Sequence, residues 1–426
     1  MSFPVHLRHN LVGRIFFFGA QLLFTTWFIR LLGPHGNGQF VLFTTNAALL
    51  ALLVGQGMDA AMLYDAARKR HPFAERMRYL YTLLMIQVLL IGAFSGLFQY
   101  FFGYAYYGYS SAWGAVYAIT LLVNNYGVAL WNSEKQFGLV YRVLIGLYAI
   151  AFLVLWIMHL CRLQFSEAFL LKYYVGMNGC SGLWFMGKYV FVHRHDMNKI
   201  LRPVHLFQKE WIRFGQLAFW ANLFQYLAYR IDIWMVAFFL DKNQLGMYAL
   251  AEKIIQTLWM ISSSLAAVVF AYADQVTDNK WLSQFQVLIR MVLLGFLLGD
   301  VFLLISGQYV ISLLFGSAFQ DAAKPLWMLL PGASLFVLNI LLAAYFAASN
   351  LLHLNLINAV MCGIIIGLGD VWLIPRHGII GAAVASSLGY GISGLWACWM
   401  FSRMHRLRWR DWLRGDMYQL FRLLIR

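Results

Sequence analysis

Apolar residues gather along this chain in runs of about twenty, separated by short polar segments. A run of that length, coiled at 1.5 Å per residue, spans a hydrocarbon core roughly 30 Å thick, so each run predicts a membrane-spanning helix. The pattern predicts helices over 11–32, 39–64, 79–102, 111–131, 138–160, 166–191, 213–239, 243–272, 284–307, 325–347, 350–374 and 378–402. The expected fold class is an all-α polytopic membrane protein of about twelve spans. An internal echo groups them. Leu32 to Phe40 (LGPHGNGQF) and Leu240 to Tyr248 (LDKNQLGMY) each give a leucine, a turn and Gly-x-aromatic, at an offset of 208. Ser181-Gly182-Leu183-Trp184 returns as Ser393-Gly394-Leu395-Trp396 at an offset of 212. An even number of spans per repeat leaves both halves in the same orientation. Two six-helix lobes with pseudo-two-fold symmetry follow, with a substrate site expected between them. The predicted division is 1–192 for the N-terminal lobe, 193–212 for a cytoplasmic linker loop, 213–402 for the C-terminal lobe and 403–426 for a basic amphipathic tail. In that tail Trp409, Trp412, Leu413, Met417, Leu420 and Leu424 share a face, as in a helix lying on anionic lipid.

Composition narrows the class further. Apolar residues form 62% of the chain and charged ones 12%, about half the share of a soluble domain. The net charge of +15 is distributed as topology rather than as a nucleic-acid face. One set of loops, with both termini, holds Arg8, Arg68, Lys69, Arg70, Arg76, Arg78, Lys135, Arg194, Lys199, Arg202, Lys209, Arg213, Lys280 and the seven arginines of the tail. The opposite loops hold only Arg162, Lys242, Lys324 and Arg376. That asymmetry predicts cytoplasmic termini. The first apolar run lacks a small-residue cleavage site and is expected to remain as a span. Tyr100, Tyr104, Tyr106, Tyr107 and Tyr109 form an outer loop that reads as an interfacial aromatic belt. Cys161, Cys180, Cys362 and Cys398 lack metal-ligand spacing, and His193, His195 and Asp196 fall in a basic loop without further ligands. No glycine-rich phosphate loop with a lysine is present, so ATP hydrolysis is not expected.

Charges inside the spans are the informative exceptions. At bilayer depth each costs about 2.5–3.5 kcal/mol, so such groups face a bundle interior or a wet path. Asn222, Gln225, Tyr229 and Asp232 recur on one helical face, as do Tyr248, Glu252, Gln256, Trp259 and Ser263. Asn46, Gln56 and Asp59 form a shorter stripe in the second span, and Arg14, Gln21 and Thr25 another in the first. Such stripes suit either a lined cavity or interhelical hydrogen bonds. Arg14, Arg30, Arg142, Lys172 and Lys188 lie near span ends, where snorkelling is the competing explanation. Arg230 and Asp232 come level with Glu252 and Lys253 and could form two ion pairs. Arg290 and Asp300 lie deeper in the ninth span and point apart.

The motifs Gly33-Pro34 with Gly38-Gln39-Phe40, Arg230-Ile231-Asp232 with Leu245-Gly246-Met247-Tyr248-Ala249-Leu250-Ala251, Leu314-Phe315-Gly316, and Leu373-Ile374-Pro375 with Gly378-Ile379-Ile380-Gly381-Ala382-Ala383 run in order along the chain. In this order they resemble the polysaccharide-export branch of the multidrug/oligosaccharidyl-lipid/polysaccharide (MOP) exporter superfamily. The resemblance implies a Wzx-type flippase: a carrier moving polyprenyl-pyrophosphate-linked oligosaccharide from the inner to the outer leaflet for O-antigen, capsule or exopolysaccharide assembly. It implies a cationic cavity, for which Arg30, Arg142, Lys172, Lys253 and Arg290 are the candidate pyrophosphate and glycan ligands. Asp59, Asp232, Glu252 and Asp300 are the candidates for a coupling proton or sodium ion. No cofactor or structural metal is expected. The expected partners are the lipid-linked glycan, membrane lipid and a polysaccharide polymerase. Three alternatives stand beside this reading: a cation-coupled multidrug exporter of the same superfamily, a sibling flippase of lipid-linked peptidoglycan precursor, which usually has two spans more than the twelve expected here, and a membrane glycan polymerase or ligase. Arg14 and Arg30 without an acid in the first span favour an anionic cargo over cationic drugs. The short, carboxylate-poor outer loops argue against the enzyme.

Overall fold

The computed structural model describes residues 3–68, 73–102, 111–194, 209–272 and 279–408. The predicted tail beyond Arg408, the linker over 195–208 with His195 and Asp196, and the loop tyrosines 104–109 lie outside the described residues. The described chain is helical: α1 (Phe3–Gly55), α2 (Met58–Arg68), α3 (Phe73–Phe102), α4 (Ser111–Ser133), α5 (Phe137–Leu160), α6 (Glu167–Val192), α7 (Lys209–Phe239), α8 (Lys242–Tyr272), α9 (Asn279–Phe315), a 3-10 turn (Ser317–Ala322), α10 (Ala323–Ala348) and α11 (Leu352–Met404). Eight of these segments are long and apolar enough to cross a membrane. Helices α6 and α7 have the length but carry more polar groups. Large apolar side chains such as Leu298, Val301, Phe302 and Ile305 of α9 are exposed, as lipid contact requires.

Both of the longest elements are two helices joined at a glycine. In α1 the joint is Gly33, with φ 67° and ψ 176°. The left-handed φ suits glycine, and the following Pro34 disfavours helical geometry in the residue before it. In α11 the joint is Gly378, with φ 58° and ψ −141°. Beyond it the chain returns along itself: Gly381 lies against Leu373, Gly369 against Ala385, and Gly389 against Ile366. The two arms are therefore antiparallel neighbours. Counting the arms separately gives twelve membrane-length helices among the described residues, and the fold is all-α and polytopic as expected. The Gly33 joint corresponds at the repeat offset to the α7–α8 junction at Asp241.

One predicted span differs. The run expected over 39–64 breaks at Gln56 and Gly57, both with positive φ (47° and 67°), and continues as the short α2. Hydropathy does not register the break, because the residues on both sides are apolar. Its cause is packing: the Gly57 position lies against the backbone of Gly215 and Phe219 on α7, where a Cβ would collide.

Contacts divide the chain into two compact units, Met1–Leu223 and Phe224–Arg426. The division falls within α7, whose first turns pack on the Gly57 break, rather than in the loop before it. In unit 1, α4 is the central helix, touching α1, α2, α3, α5 and α6. Its Trp131 Nε1 donates to the Phe185 carbonyl of α6 at 3.1 Å, and a Cβ on Gly127 would meet Phe185 Cβ at 2.7 Å. In unit 2, α10 takes that place among α8, α9 and α11. Trp259 Nε1 of α8 donates to the Ala333 carbonyl of α10 at 3.0 Å. Gly332 of α10 and Gly394 of α11 sit where any Cβ would run into the Ser387 or Leu335 backbone. Small residues let membrane helices approach this closely.

Candidate functional site

Unit 2 encloses a charged cluster built from α7, α8 and both arms of α11. Asp232 is fully buried. It accepts the Ile233 backbone N–H at 2.8 Å, the Tyr248 hydroxyl at 2.6 Å and the Ser386 hydroxyl at 3.4 Å. Tyr248 and Ser386 lie 3.0 Å apart, closing the ring. One turn along α8 from Tyr248, Glu252 pairs with Arg230 at 3.6 Å and accepts from Gln256. The sequence left open two ion pairs here. One forms, and hydroxyls satisfy Asp232 instead, with Lys253 outside ion-pair range of it among the described residues.

The sequence reading missed the remaining member. Asp370, in the first arm of α11, is fully buried, and neither carboxylate oxygen has a hydrogen-bond partner among the described residues. It lies close enough to Asp232 for the two charges to interact. Tyr390, whose buried hydroxyl is also unpartnered, packs edge-on to Trp259 at 5.1 Å and beside Phe336 at 5.1 Å. Buried polar groups are normally satisfied, so a fully buried carboxyl group with both oxygens bare is an exception to that rule. A lone acid in the apolar run 352–374 was the available signal.

Unit 1 holds a cavity of about 470 Å³ between α1, α2, α4, α5 and α6. Its polar lining is Asp59, Asn124, Asn125, Asn132, Asn178 and Ser181; Phe17, Leu144, Leu147 and Tyr148 supply much of the apolar wall. Asn124 Nδ2 donates to Ser181 Oγ at 2.7 Å, and Ser181 Oγ donates to the Asn178 carbonyl at 2.8 Å. The asparagines were not among the sequence candidates.

The predicted site residues thus fall into separate places. Asp232, Glu252 and Lys253 join the unit 2 cluster, and Asp59 enters the unit 1 cavity. Asp300 of α9 is buried and accepts from Ser334 Oγ of α10 at 2.6 Å, away from Arg290 on its own helix. Arg290 is half-buried. Arg30, Arg142 and Lys172 are exposed. Arg30 lies 5.9 Å from the Trp27 ring centre, and Lys172 lies 5.5 Å from that of Trp113. Arg142 Nε donates to the Gly138 carbonyl at 3.1 Å.

The sequence profile of the polysaccharide biosynthesis protein family matches residues 28–324, well over half of the chain. The chain belongs to this family. No curated protein sequence matches it closely enough to count as a relative. Among solved structures, this polysaccharide biosynthesis protein resembles an inward-facing multidrug resistance MATE family transporter of the MOP superfamily: TM-score 0.68, 16% identity, 91% of this chain and 95% of that one covered. It also resembles a MOP superfamily transporter from Pyrococcus furiosus described as having a binding pocket of reversed polarity, at TM-score 0.64 and 14% identity, covering 94% and 95%. A third match is the lipid II flippase MurJ in an inward closed conformation, at TM-score 0.63 and 14% identity, covering 99% and 92%. The fold is that of the MOP superfamily, and the resemblance read from the glycine-aromatic motifs is borne out.

Proposed function

We propose that this polysaccharide biosynthesis protein is a flippase, carrying polyprenyl-pyrophosphate-linked oligosaccharide from the inner to the outer leaflet of the bacterial cytoplasmic membrane by alternating access. The observation that carries the reading is the combination of a polysaccharide-biosynthesis sequence with a transporter fold that also serves a lipid II flippase. A sugar polymer assembled on a lipid carrier has a head that cannot cross hydrocarbon unaided, and a transporter fold supplies that crossing.

Arg142 and Arg290 are the candidates to draw in the pyrophosphate, since a guanidinium binds phosphate oxygens in pairs. Arg30, Lys172 and Lys253 are the further candidates. An inside-negative potential favours outward movement of the anion by about 2.3 kcal/mol per charge per 100 mV. The bare Asp370, in the same cluster as Asp232 and Glu252, supports coupling to a proton or sodium ion in unit 2. The positive loops support cytoplasmic termini, and a polysaccharide polymerase is the expected downstream partner.

The test is leaflet exchange of a fluorescent polyprenyl-pyrophosphate disaccharide in proteoliposomes holding the purified protein. The wild type should accelerate exchange, and the Arg142→Ala/Arg290→Ala variant should lose that acceleration at normal membrane abundance. Unimpaired exchange would remove these arginines from the mechanism. Transport of a cationic dye without the glycolipid would replace the reading with multidrug export. Elongated glycan in the same vesicles would replace it with a polymerase.

A further inference from the structure

The pyrophosphate reading does not use the unit 1 cavity, and the lining of that cavity has its own chemistry. Along α4, Asn125, Val128, Ala129 and Asn132 follow the spacing of one helical face and turn two amides toward the same space. Neither Asn125 nor Asn132 makes a side-chain hydrogen bond among the described residues. Behind them Asn124 is fixed by its bond to Ser181, yet its buried Oδ1 has no partner. Asn125 is exposed and Asn132 half-buried, so both amides stand open to the cavity, while the buried Asn124 Oδ1 lacks the partner such a group normally has; together they point to a ligand that pairs them.

The type of group defines that ligand. Each amide offers two donors and one acceptor oxygen without a charge, which is what a sugar hydroxyl or acetamido group requires. Phe17 and Tyr148 offer aromatic surface, suited to the C–H face of a sugar ring. The charged residue in the lining is Asp59, and neither lysine nor arginine joins it. An anionic group is therefore repelled here. The volume of about 470 Å³ lies within the range of small-molecule sites and admits a short run of linked rings.

We infer that the unit 1 cavity is a glycan-recognition subsite for uncharged sugars, with Asn125 and Asn132 as its hydrogen-bonding edge and Asp59 as its filter against acidic sugars. The ligand class rests on the flippase reading, but the test does not depend on transport. Saturation-transfer NMR on the purified protein would use N,N′-diacetylchitobiose and maltose as neutral probes and digalacturonate as the acidic one. The wild type should transfer magnetisation to the ring protons of a neutral probe and not to the acidic one. The Asn125→Leu/Asn132→Leu variant should weaken neutral binding about tenfold, the product of two lost net hydrogen bonds. Asp59→Asn should admit digalacturonate, which keeps the inference testable if the double variant fails to fold. Absence of neutral-sugar binding in the wild type, or binding unchanged in both variants, would overturn it. Sugar binding without leaflet exchange would leave the subsite standing and remove the flippase.

Discussion

Replacing Asp370 with asparagine should make the protein more stable and less active at once. The carboxyl group is fully buried, has no hydrogen-bond partner on either oxygen among the described residues, and lies near the charge of Asp232. A buried polar group left unsatisfied costs about 1–3 kcal/mol, and more if charged. Asparagine keeps the shape and cannot ionise, so the buried site no longer carries the cost of a bare carboxylate. Unit 2 spans Phe224–Arg426, and for a body of that size each kcal/mol moves the midpoint by about 2–4 °C. The expected gain in Tm is therefore roughly 2–12 °C, read by a thermal melt of detergent-purified protein in choline chloride. Sodium separates stability from coupling. At ten times its Kd, a bound ion adds about 1.4 kcal/mol, or roughly 3–6 °C, to the wild type and nothing to the variant. A fall in Tm for Asp370→Asn would refute the reasoning, because it would show that the carboxylate is a structural partner rather than a vacant ligand.

Two further outcomes follow from contacts in unit 2. Tyr248→Phe removes the hydroxyl that reaches both Asp232 and Ser386; it should destabilise the purified protein by about 1–3 kcal/mol in denaturant titration, since it strips a donor from a buried carboxylate. Gly394→Val forces a side chain into the Leu335 backbone; it should lower the yield of folded, monodisperse protein sharply on size-exclusion chromatography, with a cost at or above the usual 1–3 kcal/mol of overpacking.

Hydropathy located the helices well wherever a run ends in polar residues: the run expected over 138–160 is α5 at Phe137–Leu160, and that over 325–347 is α10 at Ala323–Ala348. It failed at Gln56-Gly57, where a turn sits inside apolar sequence and is set by a neighbour far along the chain. The candidate site divided along the same line. Asp232 and Glu252 were legible because each belongs to a stripe with helical spacing. Asp370 has no such stripe, and its importance comes from Asp232 across the cluster, which no local pattern reveals. Asn125 and Asn132 did carry a signal, seven residues apart in an apolar helix, but only the cavity shows that nothing pairs them.

The contact between α10 and the second arm of α11 has a mechanical consequence. At Gly332 and Gly394 backbone meets backbone, with no side chain between them to flex. Sliding or twisting one helix against the other would jam within a fraction of a residue, so the two travel as a single stiff beam. The same close contact recurs across the Gly378 joint, where Gly381 meets the Leu373 backbone, so the first arm of α11 is held to that beam as well.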